Sequence, residues 1–175
     1  MCIRDRIILI NSGHKMYGIE RGKSPEALSQ EFNYVPSDGI KIGEHNGAHF
    51  FTIGQRKGLG VGGYTKPLDG IRLNVDANII YVGEGKNHPG LRRMGLKMKT
   101  DKINWINSDF QKLNLKVLAR FRYRQKLFKA TLIKKTKNSY LIFEKPQTAI
   151  SAGQFAVWYI GCLLYTSDAA DDFTS

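Results

Sequence analysis

The side chains best suited to chemistry in this chain lie in a basic segment, Lys-Val-Leu-Ala-Arg-Phe-Arg-Tyr-Arg-Gln, at residues 116–125. Alternate residues of a β-strand share a face, so the spacing predicts that Arg120, Arg122 and Arg124 form a row. At a rise of about 3.3 Å per residue their guanidinium groups would stand roughly 6.6 Å apart, comparable to successive phosphates of a nucleic acid strand. Arginine forks bind phosphate oxygens in a bidentate manner. The segment therefore predicts a surface that binds nucleic acid.

The opposite side of the predicted strand is apolar, and it is expected to build the core. Four residues should face inward: Val117, Ala119, Phe121 and Tyr123. Leu118 is expected on the arginine side. The alternative interpretation of the same pattern is the charged outer face of an ordinary β-barrel that binds no ligand.

The net charge of the chain also favours a polyanionic partner. The sequence has 27 Lys and Arg against 15 Asp and Glu, a formal charge of +12, and its pI is near 9.8. A protein of the membrane surface would carry its basic residues on an amphipathic helix, and no apolar run of about 18 residues is present. We therefore expect nucleic acid rather than a membrane as the partner, and a cytoplasmic location. The alternative is that the charge only keeps a small domain soluble.

Histidine and cysteine patterns favour neither a metal site nor a nucleophile. His45 and His49 are four residues apart, but Asn46-Gly47 disfavours a helix between them and no third ligand is near. We expect both to hydrogen-bond backbone groups or to lie at a domain interface. Cys2 and Cys162 form no ligand pair, and no Ser-His-Asp arrangement is recognisable. The sequence predicts no catalytic residue, metal or cofactor in this chain.

From residue 32 onward, short runs rich in Val, Ile, Tyr and Phe predict a mainly β fold. Turn signals separate these runs at Asp38-Gly39, Asn46-Gly47, Asp69-Gly70 and Asn138-Ser139. The spacing favours two small β domains over a parallel sheet with crossover helices. A short helix is expected over residues 25–30, because Ser24 can cap it and Pro25 suits its first turn.

Composition divides the chain into five segments. Residues 1–6 and 162–175 resemble the peptides that arise when adapter DNA is translated at the edge of a sequence read, so they are expected not to belong to the protein. The alternative is that they are real tails. Residues 7–31 form a poorly defined lead-in, residues 32–92 a central β domain with its glycine-rich linker, and residues 93–161 a second β domain.

Several short motifs follow one another in a fixed order along the chain. The first is His-Asn-Gly-Ala-His-Phe-Phe-Thr-Ile-Gly-Gln-Arg-Lys-Gly-Leu at residues 45–59. The later ones are Asn-Ile-Ile-Tyr-Val-Gly at 78–83, His-Pro-Gly at 88–90, Trp-Ile at 105–106, Arg-Tyr-Arg-Gln at 122–125, Pro-Gln at 146–147 and Gly-Gln at 153–154. In this order they resemble the central and C-terminal parts of the bacterial tRNA-specific 2-thiouridylases. Those enzymes replace the 2-oxygen of the wobble uridine in certain tRNAs with sulfur.

The resemblance implies a translation-factor-like antiparallel β-barrel for the second domain and tRNA as the partner. It also implies that full-length members use ATP with magnesium, bound by a Ser-Gly-Gly-x-Asp-Ser loop, and two cysteines that accept sulfur from a persulfide donor. Residues 11–14, Asn-Ser-Gly-His, do not match that loop, and neither cysteine has the family's neighbours. We therefore expect a tRNA-binding portion of a sulfurtransferase that is inactive alone. Residues 162–167 replace the family's closing strand, so the second domain is expected to lack its last strand and to have an open sheet edge there.

Residue by residue, the resemblance implies tRNA contacts at Arg122, Tyr123 and Gln154. Arg56 and Lys57 are second-rank candidates, because their glycine-rich loop falls where the family's central domain faces the tRNA. The alternative for this loop is an ordinary solvated turn, and Gln154 is equally interpretable as a turn residue. The rival function is a stand-alone β-barrel that binds RNA or the ribosome. A phosphate loop encoded upstream in the same reading frame would separate the two.

Overall fold

The computed structural model describes most of the chain, and within the described residues the fold is mainly β, as predicted. The described ranges are residues 5–20, 22–106, 114–148, 150–151 and 154–160, and the backbone of residues 163–168. The chain forms two compact units. The first contains Met1–Glu20 and Glu31–Arg92, and the second contains Arg21–Gln30 and Arg93–Ser175.

The first unit is built on a four-stranded sheet. Its strands are β1 (Arg6–Leu9), β2 (Ile40–Glu44), β3 (Leu68–Asn74) and β4 (Ile79–Glu84). The order across the sheet is β2-β1-β4-β3, with β1 parallel to β4 and the other pairs antiparallel. Short 3-10 helices lie in the connections at Lys15–Tyr17, Pro36–Asp38, Ala48–Phe50 and Pro89–Leu91.

The two interior strands of this sheet, β1 and β4, each contain an uninterrupted apolar run, at residues 7–9 and 79–82. Strands that are buried on both faces lack the alternation of strands with one wet face. Ile8 and Tyr81 belong to one apolar cluster, whereas Ile7 and Ile80 belong to a second one. Because neighbouring residues of a strand point to opposite faces, the sheet is covered by apolar side chains on both sides.

One sequence-based expectation is wrong in the first unit, and another stays a prediction. Arg6 is the first residue of β1, and the origin of residues 1–6 outside the protein stays a prediction. Asp69-Gly70, predicted as a turn, lies inside β3, where the register with β4 shifts between Gly70 and Arg72. The Gly70 N–H donates to the Gln55 carbonyl oxygen at 3.0 Å. Gly70 thus pairs with a neighbouring backbone segment and does not form a turn.

The second unit is built on a seven-stranded antiparallel sheet that curls into half a barrel. Its strands are β5 (Arg92–Lys99), β6 (Ile103–Asn104), β7 (Asn114–Arg120), β8 (Phe128–Lys134), β9 (Asn138–Thr148), β10 (Phe155–Ile160) and β11 (Leu163–Asp168). Their order across the sheet is β5-β9-β8-β7-β10-β11-β6. A 3-10 helix at Thr100–Lys102 precedes β6.

The short helix α1 (Pro25–Ser29) confirms the predicted helix and ends one residue earlier than expected. The Ser24 hydroxyl oxygen accepts a hydrogen bond from the Ala27 N–H at 3.2 Å, and Glu26 lies in the first turn. Both features stabilise a helix start. No helix among the described residues is long and apolar enough to cross a membrane.

Strands β7 and β10 show the alternation expected of a sheet with one covered face. On β10, Ala156 and Trp158 are fully buried, whereas Phe155, Val157 and Tyr159 share the other side, as predicted. The β7 residues expected to face inward are buried: Val117 and Ala119. Their contacts continue into an aromatic group of Phe121, Phe128 and Phe143, whose ring centroids lie 5.2 to 5.6 Å apart.

The position next to β10, expected to lack a strand, is occupied by β11. Leu163–Asp168 pairs antiparallel with β10 along its whole length, from Phe155 opposite Asp168 to Ile160 opposite Leu163. It also pairs with β6 through Thr166 and Asn104. The expectation that no strand pairs beyond β10 is therefore wrong, although the sheet remains open, with β5 and β6 at its edges. That residues 162–175 originate outside the protein stays a prediction.

His88 connects separate parts of the first unit. Its side chain is 2% exposed, and its Nδ1 accepts a hydrogen bond from the Gly90 N–H at 3.2 Å. The ring proton is therefore on Nε2, which donates to the Ile10 carbonyl oxygen at 3.1 Å. Burial lowers the pKa of His88, because the charged ring would lose its contacts with water.

We expect the free energy of unfolding of the first unit to decrease as the pH falls below about 6.5. The unfolded chain binds a proton at His88 in that range, while the folded chain resists it, so acid favours unfolding by up to about 1.4 kcal/mol per pH unit. Urea unfolding at several pH values should show a smaller pH dependence for His88→Gln. The control His49→Gln, at an exposed position, should keep the full dependence. Equal slopes for His88→Gln and the wild type would contradict the assignment.

Candidate nucleic-acid interface

The predicted row of three arginines on one strand is wrong, because β7 ends at Arg120. Residues 121–125 form a turn, in which the Gln125 N–H donates to the Arg122 carbonyl oxygen at 3.0 Å. The Gln125 side-chain oxygen accepts from the Phe121 N–H at 2.9 Å. This side-chain contact satisfies the Phe121 backbone donor within the turn rather than in a strand ladder. We call residues 121–125 the arginine turn.

Arg120 holds the arginine turn against β10. Its guanidinium donates to the Tyr123 carbonyl oxygen at 3.0 Å and to the Tyr159 hydroxyl at 2.7 Å. The guanidinium carbon lies 5.5 Å from the centroids of both tyrosine rings, within the range of cation–π attraction. Arg120 therefore positions its neighbours. Tyr159, which the sequence did not identify as a site residue, was detectable only as a member of the outer side of β10.

Arg122 and Arg124 lie together after all, on the turn rather than on a strand. Both are exposed and line a cleft of about 340 Å³. The rest of its lining is Phe121, Gln125, Thr148 and Ile150. A cleft with two guanidinium groups beside apolar side chains can bind a phosphate together with a flat apolar group.

Tyr123 does not face the core, contrary to its place in the predicted alternation. Its side chain is 86% exposed. The reason is that the alternation of β7 stops at Arg120, after which the turn directs the ring outward. Phe121 is buried as predicted, and Leu118 is exposed on the outer face.

Gln154 lies directly before β10, and its side-chain oxygen accepts from the Ser151 N–H at 3.5 Å. This contact corresponds to the turn interpretation of Gln154. Strand β10 pairs with β7 through Val157 opposite Arg120 and Tyr159 opposite Leu118. The register therefore places Gln154 at the end of β10 that lies toward the arginine turn.

The glycine-rich loop of the first unit carries the other two candidates, Arg56 and Lys57. The Arg56 guanidinium donates to both carboxylate oxygens of the buried Asp69, at 2.6 and 3.4 Å, and this hydrogen bond raises the pKa of Arg56. Lys57 is exposed. Positive φ angles of 83° at Gly54 and 89° at Gly58 confirm that glycines permit the tight turns of this loop. Arg56 thus has a structural partner, and Lys57 is the more accessible cation.

The histidines fit structural roles. His45 is buried, its Nδ1 accepts from the Gly47 N–H at 2.9 Å, and its Nε2 lies 3.2 Å from the Asn78 carbonyl oxygen. These contacts confirm the expected hydrogen bonds to backbone groups. His49 is exposed, and its ring lies 4.0 Å from that of Phe50. Within the part of the chain that the structure describes, no three potential metal ligands lie together.

Each of the two units is similar to a known domain family. The tRNA methyl transferase PRC-barrel domain matches residues 31–84, and the Aminomethyltransferase beta-barrel domain matches residues 96–164. The tRNA-specific 2-thiouridylase of Christiangramia forsetii is 47% identical over 135 residues, which are 75% of this chain and 34% of that protein. The chain belongs to the tRNA-specific 2-thiouridylase family. The resemblance inferred from the short motifs is confirmed.

Two further relatives carry the same name. The tRNA-specific 2-thiouridylase of Karelsulcia muelleri is 46% identical over 154 residues, 88% of this chain and 40% of that protein. The one of Flavobacterium johnsoniae is 43% identical over 163 residues, 88% of this chain and 41% of that protein. The chain thus spans 34 to 41% of the length of these relatives. Membership of this enzyme family counts against the rival interpretation of a stand-alone module.

Proposed function

We propose that this chain is the tRNA-binding portion of a cytoplasmic sulfurtransferase that converts the wobble uridine of tRNA to 2-thiouridine. Three observations support the proposal. The relatives are tRNA-specific 2-thiouridylases. The second unit has a cleft with two exposed arginines. Residues 114–135, which include that cleft's arginines, contain eight Lys and Arg and no Asp or Glu. A surface of one charge sign attracts a polyanion over long distances.

The single observation that carries the proposal is the pairing of Arg122 and Arg124 in one cleft. In the proposed complex their guanidinium groups hold phosphate oxygens of the tRNA backbone. Arg120 acts as a positioning residue, because its donors are used by the Tyr123 carbonyl and the Tyr159 hydroxyl. Phosphate contacts of this kind fix the position of an RNA without reading its sequence.

The remaining candidates have smaller roles in this proposal. Tyr123 presents its exposed ring beside the cleft arginines, and Gln154 supports the adjoining end of β10. Lys57 adds a weaker phosphate contact from the glycine-rich loop. Arg56 chiefly fixes that loop, because its guanidinium hydrogen-bonds to the buried Asp69. It is therefore the weakest of the candidates for a tRNA contact. An exposed charge such as that of Lys57 contributes little to stability, so Lys57 can be replaced with little effect on folding.

Residues 11–14 do not fit the phosphates of ATP. A phosphate-binding loop presents free backbone N–H groups at the start of a helix. In residues 11–14 the Gly13 N–H donates to the Asn11 side-chain oxygen at 2.7 Å, and the His14 N–H donates to the Asn11 carbonyl at 3.0 Å. Only the three-residue helix Lys15–Tyr17 follows. In the proposed full-length enzyme, ATP, magnesium and the persulfide donor therefore bind residues outside this chain.

Binding of tRNA at several salt concentrations tests the proposed function. Each neutralised phosphate releases counterions, so the affinity should fall steeply with salt. Arg122→Ala should weaken binding about tenfold and reduce the slope of log K against log salt by up to about one unit. The control Lys137→Ala removes an exposed charge between β8 and β9 and should change neither. Equal affinities and slopes for all three proteins would refute the assignment of this cleft.

A further inference from the structure

The outer face of β7 and β10, with the arginine turn, exposes a group of aromatic and apolar side chains. Tyr123 is 86% exposed, Phe155 is 62% exposed and Leu118 is 40% exposed. Single exposed apolar residues are ordinary, but several on one face mark an interaction site. We call these three residues, together with Arg120 and Tyr159, the aromatic platform.

The strand register brings these residues together. Tyr159 on β10 pairs with Leu118 on β7, and Val157 pairs with Arg120. Two residues before Val157 on β10, Phe155 lies past the end of β7, on the side where the arginine turn begins. Side chains at alternate positions of a strand share a face, so Phe155 and Tyr159 both lie on the outer side.

The platform is fixed before any ligand binds. Arg120 donates to the Tyr123 carbonyl oxygen and to the Tyr159 hydroxyl, and its guanidinium carbon lies 5.5 Å from each ring centroid. The backbone that carries Tyr123 is therefore held against β10. A surface that is already ordered loses less conformational entropy on binding. An exposed tyrosine held in this way is suited to stack on a flat ligand.

The charge around the platform selects the kind of ligand. Residues 114–135 carry eight Lys and Arg and no Asp or Glu. Asp168 lies opposite Phe155 on β11, but the basic residues outnumber it. A partner must therefore combine negative charge with flat apolar faces. Unpaired segments of RNA have this combination, whereas a double helix hides the faces of its bases in the stack.

We infer that the aromatic platform stacks unpaired nucleobases of RNA, next to the phosphates held by Arg122 and Arg124. The inference rests on the proposed function, because it requires that the second unit binds RNA. It adds a preference for single-stranded segments and assigns binding roles to Phe155 and Tyr159. Stacking on aromatic side chains tolerates any base, so no sequence preference is required.

The test compares a labelled single strand of about ten ribonucleotides with the same strand annealed to its complement, by fluorescence anisotropy at several salt concentrations. Phe155→Ala and Tyr123→Ala should each weaken binding of the single strand about tenfold and leave the salt slope unchanged, because no phosphate contact is lost. Phe155→Tyr, which keeps an aromatic ring, should bind the single strand with the affinity of the wild type. Val75→Ala removes an exposed apolar side chain from the first unit and is the matched control.

Each other outcome overturns the inference. If Arg122→Ala reduces the salt slope while Phe155→Ala and Tyr123→Ala bind like the wild type, stacking is refuted and the proposed function stands. If the two aromatic variants lose the same factor for duplex and single strand, base stacking is likewise refuted. If the wild type binds neither RNA in a salt-dependent manner, both proposals fall. Circular dichroism spectra matching the wild type confirm that the variants are folded.

Discussion

Replacing Arg122 and Arg124 together by alanine is expected to weaken tRNA binding about a hundredfold at low salt. A hydrogen bond from a guanidinium to a phosphate contributes about 1.5 to 3 kcal/mol, so each arginine accounts for roughly a tenfold change or more. In the proposed complex each arginine binds its own phosphate, so the two losses should be close to additive. The slope of log K against log salt should fall by up to about two units. Filter binding at four or more salt concentrations measures both quantities.

The matched control for this variant removes two positive charges elsewhere. Lys86 in the first unit and Lys137 between β8 and β9 are both exposed. Lys86→Ala with Lys137→Ala lowers the net charge by the same amount and should change the affinity by less than about threefold. If both double variants lose the same affinity, the interaction depends on overall charge and the cleft has no special role.

Trp158→Ala is expected to reduce the free energy of unfolding of the second unit by about 3 to 5 kcal/mol. Trp158 is completely buried and lies edge-on to Trp105, with 6.3 Å between ring centroids. Removing the indole leaves a cavity that the surrounding strands cannot fill. Since folded domains are stable by only about 5 to 15 kcal/mol, this variant should melt far below the wild type.

Trp158→Phe should be much less harmful, at about 1 to 2 kcal/mol. The Trp158 indole N–H makes no hydrogen bond among the described residues. Phenylalanine therefore removes a buried, unsatisfied donor without breaking a hydrogen bond, which offsets part of the lost packing. Urea unfolding followed by circular dichroism separates the two variants. A Trp158→Phe loss as large as that of Trp158→Ala would mean that the indole N–H has a stabilising partner.

The β character and the sidedness of β10 were predictable because they follow from local alternation. Phe155, Val157 and Tyr159 lie on one side and Trp158 on the other, as the apolar pattern indicates. The end of β7 was not predictable in this way. Basic and aromatic residues continue to alternate through position 124, but the Gln125 side chain accepts the Phe121 N–H and closes a turn. An alternating apolar pattern indicates which residues are buried. This turn depends instead on a side chain that competes with a neighbouring strand for a backbone hydrogen bond.

The geometry around the candidate residues could not be predicted from the sequence. Arg122 and Arg124 share a cleft, whereas Arg120 has a structural role that no spacing rule could assign, because its partner Tyr159 comes from a strand 39 positions away. The same limit applies to Arg56, whose partner Asp69 is 13 positions away. Contacts between distant segments are set by the tertiary fold. A single sequence shows which residue types are present but not which of them come into contact.

The interior position of β1 has a consequence for how the first unit forms during synthesis. Arg6 pairs with Ile79, so β1 is synthesised well before β4, its parallel partner, exists. Closing so long a loop is slow, and apolar residues such as Ile7 and Ile8 meanwhile remain open to aggregation and to chaperones. A shortened chain that begins at residue 31, where the first family match starts, would lack this strand and leave β4 without its inner neighbour. During synthesis, the N-terminal strand of the unit therefore completes its sheet contacts only after β4 has formed.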